Sequence, residues 1–394
     1  MANIFKRWTN SLIKKEGSTI QLRSTDTSTF QVMGDFFSFG KSNSSADKFV
    51  KAFGENPLVY MIVNKIAFTS ASIKRIVNDK NGNEIVNSRI LELINNPNPT
   101  QGRIELLETI NQQINITGNV YVRLIKGVGM GEELRVLPSN KMTIDVDSYG
   151  EVSGYTLERI DGSEITYPVE EILHIRTSNI VNIDNTNGYY GLSPLQAAWM
   201  IVKSSEEIFS AEASIFKNRG IIGILTNETD VPMLKKDRDA LQEQFNNEVG
   251  GAERYNSVKI SNTKLKYIQT GMSPTDLKLL DGILNKMRLL CSVFGLNSVL
   301  FNDQVSSTFN NVEEANKASY IDVYIPLANK IDRELSRFLN NALGIDEYLT
   351  IDRDSIDVLK TISKEHTDAI TAQLLAGVID LDEARDILGH NIKN

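Results

Sequence analysis

The chain has 394 residues, enough for two or three domains. Its 42 Lys and Arg are outnumbered by 50 Asp and Glu; the resulting net charge of −8 excludes a protein that coats nucleic acid by neutralising phosphates. Hydrophobic residues at 41% and charged residues at 23% describe an ordinary folded chain, and the single cysteine, Cys291, excludes an internal disulfide framework or a CxxC metal site. Residues 1–15 mix Phe5 and Trp8 with Lys6, Arg7, Lys14 and Lys15 and lack the apolar core of a signal peptide. No run reaches the roughly 18 apolar residues of a membrane span. The expectation is a protein made and used inside a cell, with no membrane partner. Residues 16–48 are rich in Ser, Thr, Asn and Gly and read as a loosely ordered arm, because so little apolar surface does not offset the entropy of ordering it.

Order is expected to begin at Asn56-Pro57, a cap followed by proline at the first helical position. Leu58, Val59, Ile62, Val63, Ile66 and Ala67 then mark one helical face. The turn Asn95-Asn96-Pro97-Asn98-Pro99 separates this helix from a second, Ile104 to Ile116, which Gly118 ends. From Val120 the period changes to alternation. Val120–Ile125, Glu133–Leu137, Met142–Val146, Val152–Arg159 and Ile172–Arg176 read as short strands separated by turn residues. Two helices ahead of an antiparallel sheet make residues 50–180 an α+β domain. The glycines Gly127, Gly129 and Gly131 lead from strand to strand, not from strand to helix, so they mark a hairpin and not a dinucleotide fingerprint.

The second half reads as long helices. Ser193-Pro194, with Gln196 at the reciprocal capping position, opens a helix to about Asn218 that would be roughly 39 Å long. Ser273-Pro274 opens another, through Leu280, Leu284, Met287, Leu290 and Cys291 to Gly295. Between them Ile221 to Gly271 reads as a small αβ module, giving a stalk with a tip. A third long helix is expected over Val312 to Leu343, capped by Asn310 or Asn311 and bent at Pro326. That bend reads either as a plain corner or as a lever bearing a loop at its tip. Residues 345–394 hold five basic and eleven acidic residues, with helices over Thr361–Gly377 and Asp382–Leu388.

Chemistry for catalysis is missing from the pattern. No GxSxG, HExxH or GxxxxGK[ST] arrangement occurs. His174 falls in an alternating strand and reads as a half-buried sheet residue, while His366 and His390 have no second ligand at useful spacing. Glu206-Glu207 and Glu313-Glu314 are adjacent on helices and diverge around the axis. The residues alone indicate a multidomain, non-catalytic, assembling protein without metal or cofactor.

The order of segments adds to this. Asn56-Pro57-Leu58-Val59-Tyr60 with Asn64-Lys65-Ile66-Ala67, then Leu93 to Pro99, then Gly118-Asn119-Val120-Tyr121-Val122, resembles the portal proteins of tailed bacteriophages, of the long-tailed type. So do Ile172 to Arg176, Gly188 through Gly191-Leu192-Ser193-Pro194-Leu195, Phe294-Gly295-Leu296, and Gly377 to Arg385. The resemblance covers residues 50–394. It implies a ring, typically a dodecamer, at one capsid vertex. It also implies an α+β multidomain layout with an N-terminal arm (1–49), a wing (50–191) and a two-helix stem (192–220 and 273–296). The rest would be a clip (221–272), a tunnel loop (297–311), a kinked helix (312–343) and a crown (344–394).

The function implied by the resemblance is a non-enzymatic channel for double-stranded DNA in the virion, assembled in the host cytoplasm. Its implied partners are the terminase large subunit, the major capsid protein or scaffold, and head-completion and tail proteins. In that frame Gln304, Val305, Ser306, Ser307, Thr308 and Phe309 are expected to line the channel's narrowest part. Lys235, Lys236, Arg238 and Arg254 of the clip are expected to dock the motor; the plain alternative for the 235–239 run is a solvated helix face. A connector of a defective prophage or phage-derived particle would share every feature. A cytosolic enzyme or binding protein with a helical-hairpin insertion is the remaining class.

Overall fold

The computed structural model describes residues 42–127, 131–180, 186–217, 223–227, 235–236, 239, 265–269, 279–303 and 309–387. Met1–Ser42 is one unit of the chain and Asn43–Asn394 the other, and the described elements belong to the second, Ser42 being the first residue of its leading helix. That helix, α1 (Ser42–Glu55), starts before the expected onset of order. Phe49 supplies the reason: it is buried edge-on against Trp199 with ring centroids 5.2 Å apart, and Ala52 is buried with it. This apolar burial offsets the ordering entropy that the polar composition of residues 42–48 would otherwise leave unmet.

Helix α2 (Pro57–Ser72) opens on Asn56, whose Oδ1 accepts from the N–H groups of Leu58 and Val59. The same side chain's Nδ2 donates to Ser205 Oγ at 2.8 Å, so one cap also ties α2 to a helix far along the chain. Strand β1 (Arg75–Asn78), α3 (Arg89–Asn95) and α4 (Arg103–Thr117) follow. Next come β2 (Asn119–Gly127), β3 (Gly131–Leu137), β4 (Met142–Val146), β5 (Val152–Glu158), β6 (Glu164–Tyr167) and β7 (Ile172–Arg176).

These strands form two antiparallel three-stranded sheets, ordered β3-β2-β7 and β4-β5-β6. Strand β2 is central and covered on both faces. Val120, Val122 and Leu124 join the helices α3 and α4 in one core, while Tyr121 points the other way, into a core with Met142, Ile144, Tyr155, Tyr167 and Ile172. The alternation in the sequence is therefore a division between two cores, not between core and water.

The chain then runs through α5 (Pro194–Ala197) into α6 (Trp199–Lys217). The single helix expected from Ser193 is divided at Ala198, whose φ −87°, ψ 5° depart from helical values although its N–H still bonds to the Pro194 carbonyl. Leu195, Ala198, Trp199 and Val202, at the spacing of one helical face, are all buried in one core with Phe49, Val59 and Ile62. Strands β8 (Gly223–Asn227) and β9 (Leu265–Gln269) pair antiparallel. Helix α7 (Leu279–Val293) packs on α6. Its expected start at Ser273-Pro274 lies outside the described residues.

The last long helix is three pieces: α8 (Phe309–Ser319), a π-helical turn (Tyr320–Tyr324) and α9 (Ile325–Leu343). It begins at Phe309, ahead of the expected Asn310 or Asn311 cap. Pro326 stands in the first turn of α9, and the wide turn just before it has the Ile325 N–H bonding five residues back to the Tyr320 carbonyl. A proline removes one ladder bond and crowds the preceding turn; the π turn takes up both demands. Strand β10 (Tyr348–Ile351), unforeseen in the sequence, pairs antiparallel with β1, Val77 opposite Leu349. Helices α10 (Asp357–Leu375) and α11 (Leu381–Ile387) close the described chain.

Candidate functional site

Of the residues singled out in the sequence, Gln304, Val305, Ser306, Ser307 and Thr308 lie outside the described residues, as do Arg238 and Arg254. Phe309 is the first residue of α8. Lys235 and Lys236 have helical backbone and are exposed. The described structure does define the ground from which residues 304–308 depart.

That ground is built on Asp303. The carboxylate is only 3% exposed and takes a two-pronged bond from Arg288 of α7, Nε to Oδ2 at 2.6 Å and Nη2 to Oδ1 at 2.8 Å. Ser298 Oγ donates to the same carboxylate at 2.8 Å. Paired forks of this kind hold direction as well as charge. The pairing raises the Arg288 guanidinium further above its ordinary value. Asn297 caps the short turn Ser298–Phe301 through the Val299 N–H, and Asn302 then takes the left-handed conformation at φ 61°, alone in this among described non-glycine residues. A polar cleft of about 740 Å³ beside this turn is lined by Arg288, Ser292, Asn297, Asn311, Glu314 and Ala315, among others. Sequence reasoning missed the Arg288–Asp303 pair, since two charges fifteen positions apart across a helix end carry no periodic signal.

A second polar centre joins three of the segments that carry the resemblance. Asn119, buried at the head of β2, accepts on Oδ1 from the Gly191 N–H at 2.7 Å and meets His174 Nε2 at 3.1 Å, while its Nδ2 donates to the Thr117 carbonyl at 3.0 Å. Because Oδ1 accepts, the His174 ring carries its proton on Nε2. The ring stacks on Tyr121 at 4.5 Å, and burial, with Arg176 nearby, lowers its pKa to about 3. Ser193 Oγ donates to the carbonyls of Asn115 and Ile116 while accepting from the N–H groups of Leu195 and Gln196. The half-buried sheet histidine expected from the sequence is there, with a partner the sequence did not name.

A third centre is an ion pair in the interior. Arg75 and Asp332 are 0% and 1% exposed, with Nε 3.3 Å from Oδ2, and Arg75 Nη1 also donates to the carbonyls of Ser70, Ala71 and Ile73. The cation thereby closes the C-terminal end of α2. Burial pushes Asp332 up to about 6 against the pull of Arg75 and Arg103. Cys291 is buried, its thiol pushed up to about 12 by burial, and packs as a core residue. These centres tie segments distant in sequence to one another. Among the described residues no group of three or more His, Cys, Asp or Glu is placed to hold a metal, and no helix is long and apolar enough to cross a membrane.

A family model described as phage portal protein matches residues 57–389. The chain belongs to the phage portal protein family. An uncharacterized protein of Rickettsia bellii (strain RML369-C) is 24% identical over 350 residues, spanning 86% of this chain and 88% of that one. One of Rickettsia felis (strain ATCC VR-1525 / URRWXCal2) is 22% identical over 346 residues, with the same coverage of each. Among solved structures, a chain in the neck of an empty GTA particle computed with C6 symmetry superposes with a TM-score of 0.67 at 24% identity, covering 89% of this chain and 94% of that one. The HK97-family phage portal protein from Corynebacterium diphtheriae gives a TM-score of 0.53 at 12% identity, covering 77% of this chain and 94% of that one. Portal-family membership and these superpositions give the mixed helix and antiparallel-sheet fold its place.

Proposed function

We propose that copies of this chain close into a ring, a dodecamer, at one vertex of a capsid, and that double-stranded DNA enters and leaves through its centre. The family match over residues 57–389 carries this reading. The neck of a native GTA particle computed with C12 symmetry, with a TM-score of 0.65, supports the number twelve. In this layout residues 50–191 are the wing, 192–220 and 273–296 the stem, 221–272 the clip, 312–343 the kinked helix and 344–394 the crown. The clip, with exposed Lys235 and Lys236, docks the terminase large subunit during packaging and head-completion proteins afterwards. The ring seats among major capsid subunits, and assembly precedes the virion in the host cytoplasm. No step requires catalysis by this chain.

The charge pattern fits a conduit. Each phosphate held tightly by Lys or Arg would have to be released again during passage. A chain with net charge −8, whose proposed tunnel loop reads Gln304-Val305-Ser306-Ser307-Thr308, offers contact without grip. The test is the assembled mass and end-on image of the purified chain, alone and with its capsid proteins. A closed ring with a central hole wide enough for a duplex supports the reading; a monomer under both conditions overturns it.

A second reading, the connector of a phage-derived particle, is favoured by the better superposition on the GTA neck than on the HK97-family portal, TM-scores of 0.67 and 0.53. Sequencing the nuclease-protected DNA of particles separates the two. A genome that includes the gene for this chain supports the phage; DNA that lacks it supports the derived particle.

A further inference from the structure

We infer that the corner between α10 and α11 of one copy seats in a cavity beside α9 of the next copy, and that this contact helps to close the ring. The inference rests on the ring reading above and deepens it. The corner presents Leu375, Val378 and Leu381 at 83%, 71% and 53% exposure. Its backbone is fixed at both ends. The N–H of Gly377, at φ 68°, donates to the Leu374 carbonyl and that of Val378 to the Gln373 carbonyl, while Asp380 and Glu383 each accept from the other's N–H. Three large apolar side chains held in water by a hydrogen-bonded turn mark a contact surface, and one that loses little freedom on docking. The stretch Leu375 to Glu383 also carries Asp380, Asp382 and Glu383 and no basic residue. The cavity has the opposite charge. It measures about 710 Å³ and is bordered by α9, β10 and the residues joining them. Arg333, Arg337 and Asn341 stand at four-residue spacing on one face of α9, with Ile345, Tyr348 and Leu349 as the apolar part. Arg337 is paired with Glu334, and the cavity's carboxylate, Asp346, with Lys80. Arg333 is exposed and has no ion-pair or hydrogen-bond partner among the described residues. In a chain of net charge −8, an unpaired cation beside an apolar surface selects an acidic partner with an apolar tip, and every copy carries one at its α10–α11 corner. Corner and cavity are different surfaces of one chain, so the contact between copies is head-to-tail, the kind that closes rings.

The experiment is thiol cross-linking in the full-length chain, whose one cysteine, Cys291, is buried. Val378→Cys and Asn341→Cys are made in separate chains, assembled together beside the capsid proteins and oxidised. Leu381→Cys with Tyr348→Cys repeats the test. Assembled mass scores ring closure, and a denaturing gel scores the cross-link. The expected result is closed rings with covalent dimers in each mixture and in no variant alone. In the chain without added cysteines, Arg333→Glu is expected to lower the yield of closed rings about tenfold at an unchanged melting temperature. Closed rings without dimers in either mixture, or dimers from one variant alone, overturn the docking and leave the ring reading standing. An unchanged ring yield in Arg333→Glu overturns it as well, and decides the matter where the cysteine pairs block closure. A native chain that stays monomeric beside its capsid proteins overturns the ring reading, and the docking with it.

Discussion

Gly118 and Gly191 touch backbone to backbone. A Cβ at Gly118, which sits at φ 76°, would lie 2.9 Å from the Gly191 carbonyl and 2.8 Å from Ser193 N. A Cβ at Gly191 would overlap the Gly118 carbonyl oxygen and press on Thr177 N at 2.8 Å. The obstructing atoms are main chain, apart from Thr177 Oγ1, and that main chain has hydrogen bonds to keep: Thr177 N–H donates to Gly118 O, and Gly191 N–H to Asn119 Oδ1. The end of α4, the end of β7 and the start of α5 therefore meet in one place that only glycine allows.

Gly191→Ala should destabilise the fold by about 3 kcal/mol, because the atom a methyl group would overlap, the Gly118 carbonyl oxygen, is main chain and has nowhere to move. Gly54→Ala is the matched control. Gly54 is in α1 with nothing within 4 Å of the point where a methyl group would sit, so alanine should be neutral or stabilise by about 0.5–1 kcal/mol. Chemical denaturation of both variants checks the contrast. Equal stabilities would refute the close approach.

Removing one member of the Arg75–Asp332 pair leaves the other charge buried. Asp332→Ala is expected to cost about 3–5 kcal/mol. The double variant Arg75→Met/Asp332→Leu should cost less than the sum of the two single changes by at least about 1 kcal/mol, since neither charge remains. It should not recover fully, because the carbonyls of Ser70, Ala71 and Ile73 lose their donor. A double-mutant cycle in urea measures the coupling, and strict additivity would argue against the pair.

His174 makes the fold acid-sensitive. Its pKa is about 3 in the native chain against an ordinary 6.5, so between those values the unfolded chain binds a proton that the folded chain refuses. Stability from this residue is therefore complete above pH 6.5 and is lost as pH falls toward 3. The residue is half-buried, and solvent screening limits the loss to about 2 kcal/mol at pH 4.5. Urea midpoints at pH 7 and 4.5 should separate more for the native chain than for His174→Gln. Equal separations would remove His174 as the cause.

The sequence by itself determined what depends on neighbours in the chain. The Asn56 and Ser193 caps, the αL glycine at the end of α4, and the alternation in β2 and β7 are local rules, and each appears as read. Local rules also located the stress at Pro326. The ordered family segments were legible for the same reason, as runs of neighbouring residues.

Tertiary structure alone decided the rest. Strand β1 has four residues and no strong pattern; it exists because β10, from near the other end of the chain, supplies its hydrogen bonds. Residues 42–48 are helical because Phe49 and Ala52 find a core. The Pro326 stress became a π turn where Ser70 Oγ donates to the Tyr324 carbonyl and Gly295 leaves room for Val323. Asp303 became an anchor only once α7 brought Arg288 beside it. Burial and long-range pairing are properties of the packed chain, and no window of neighbouring residues contains them.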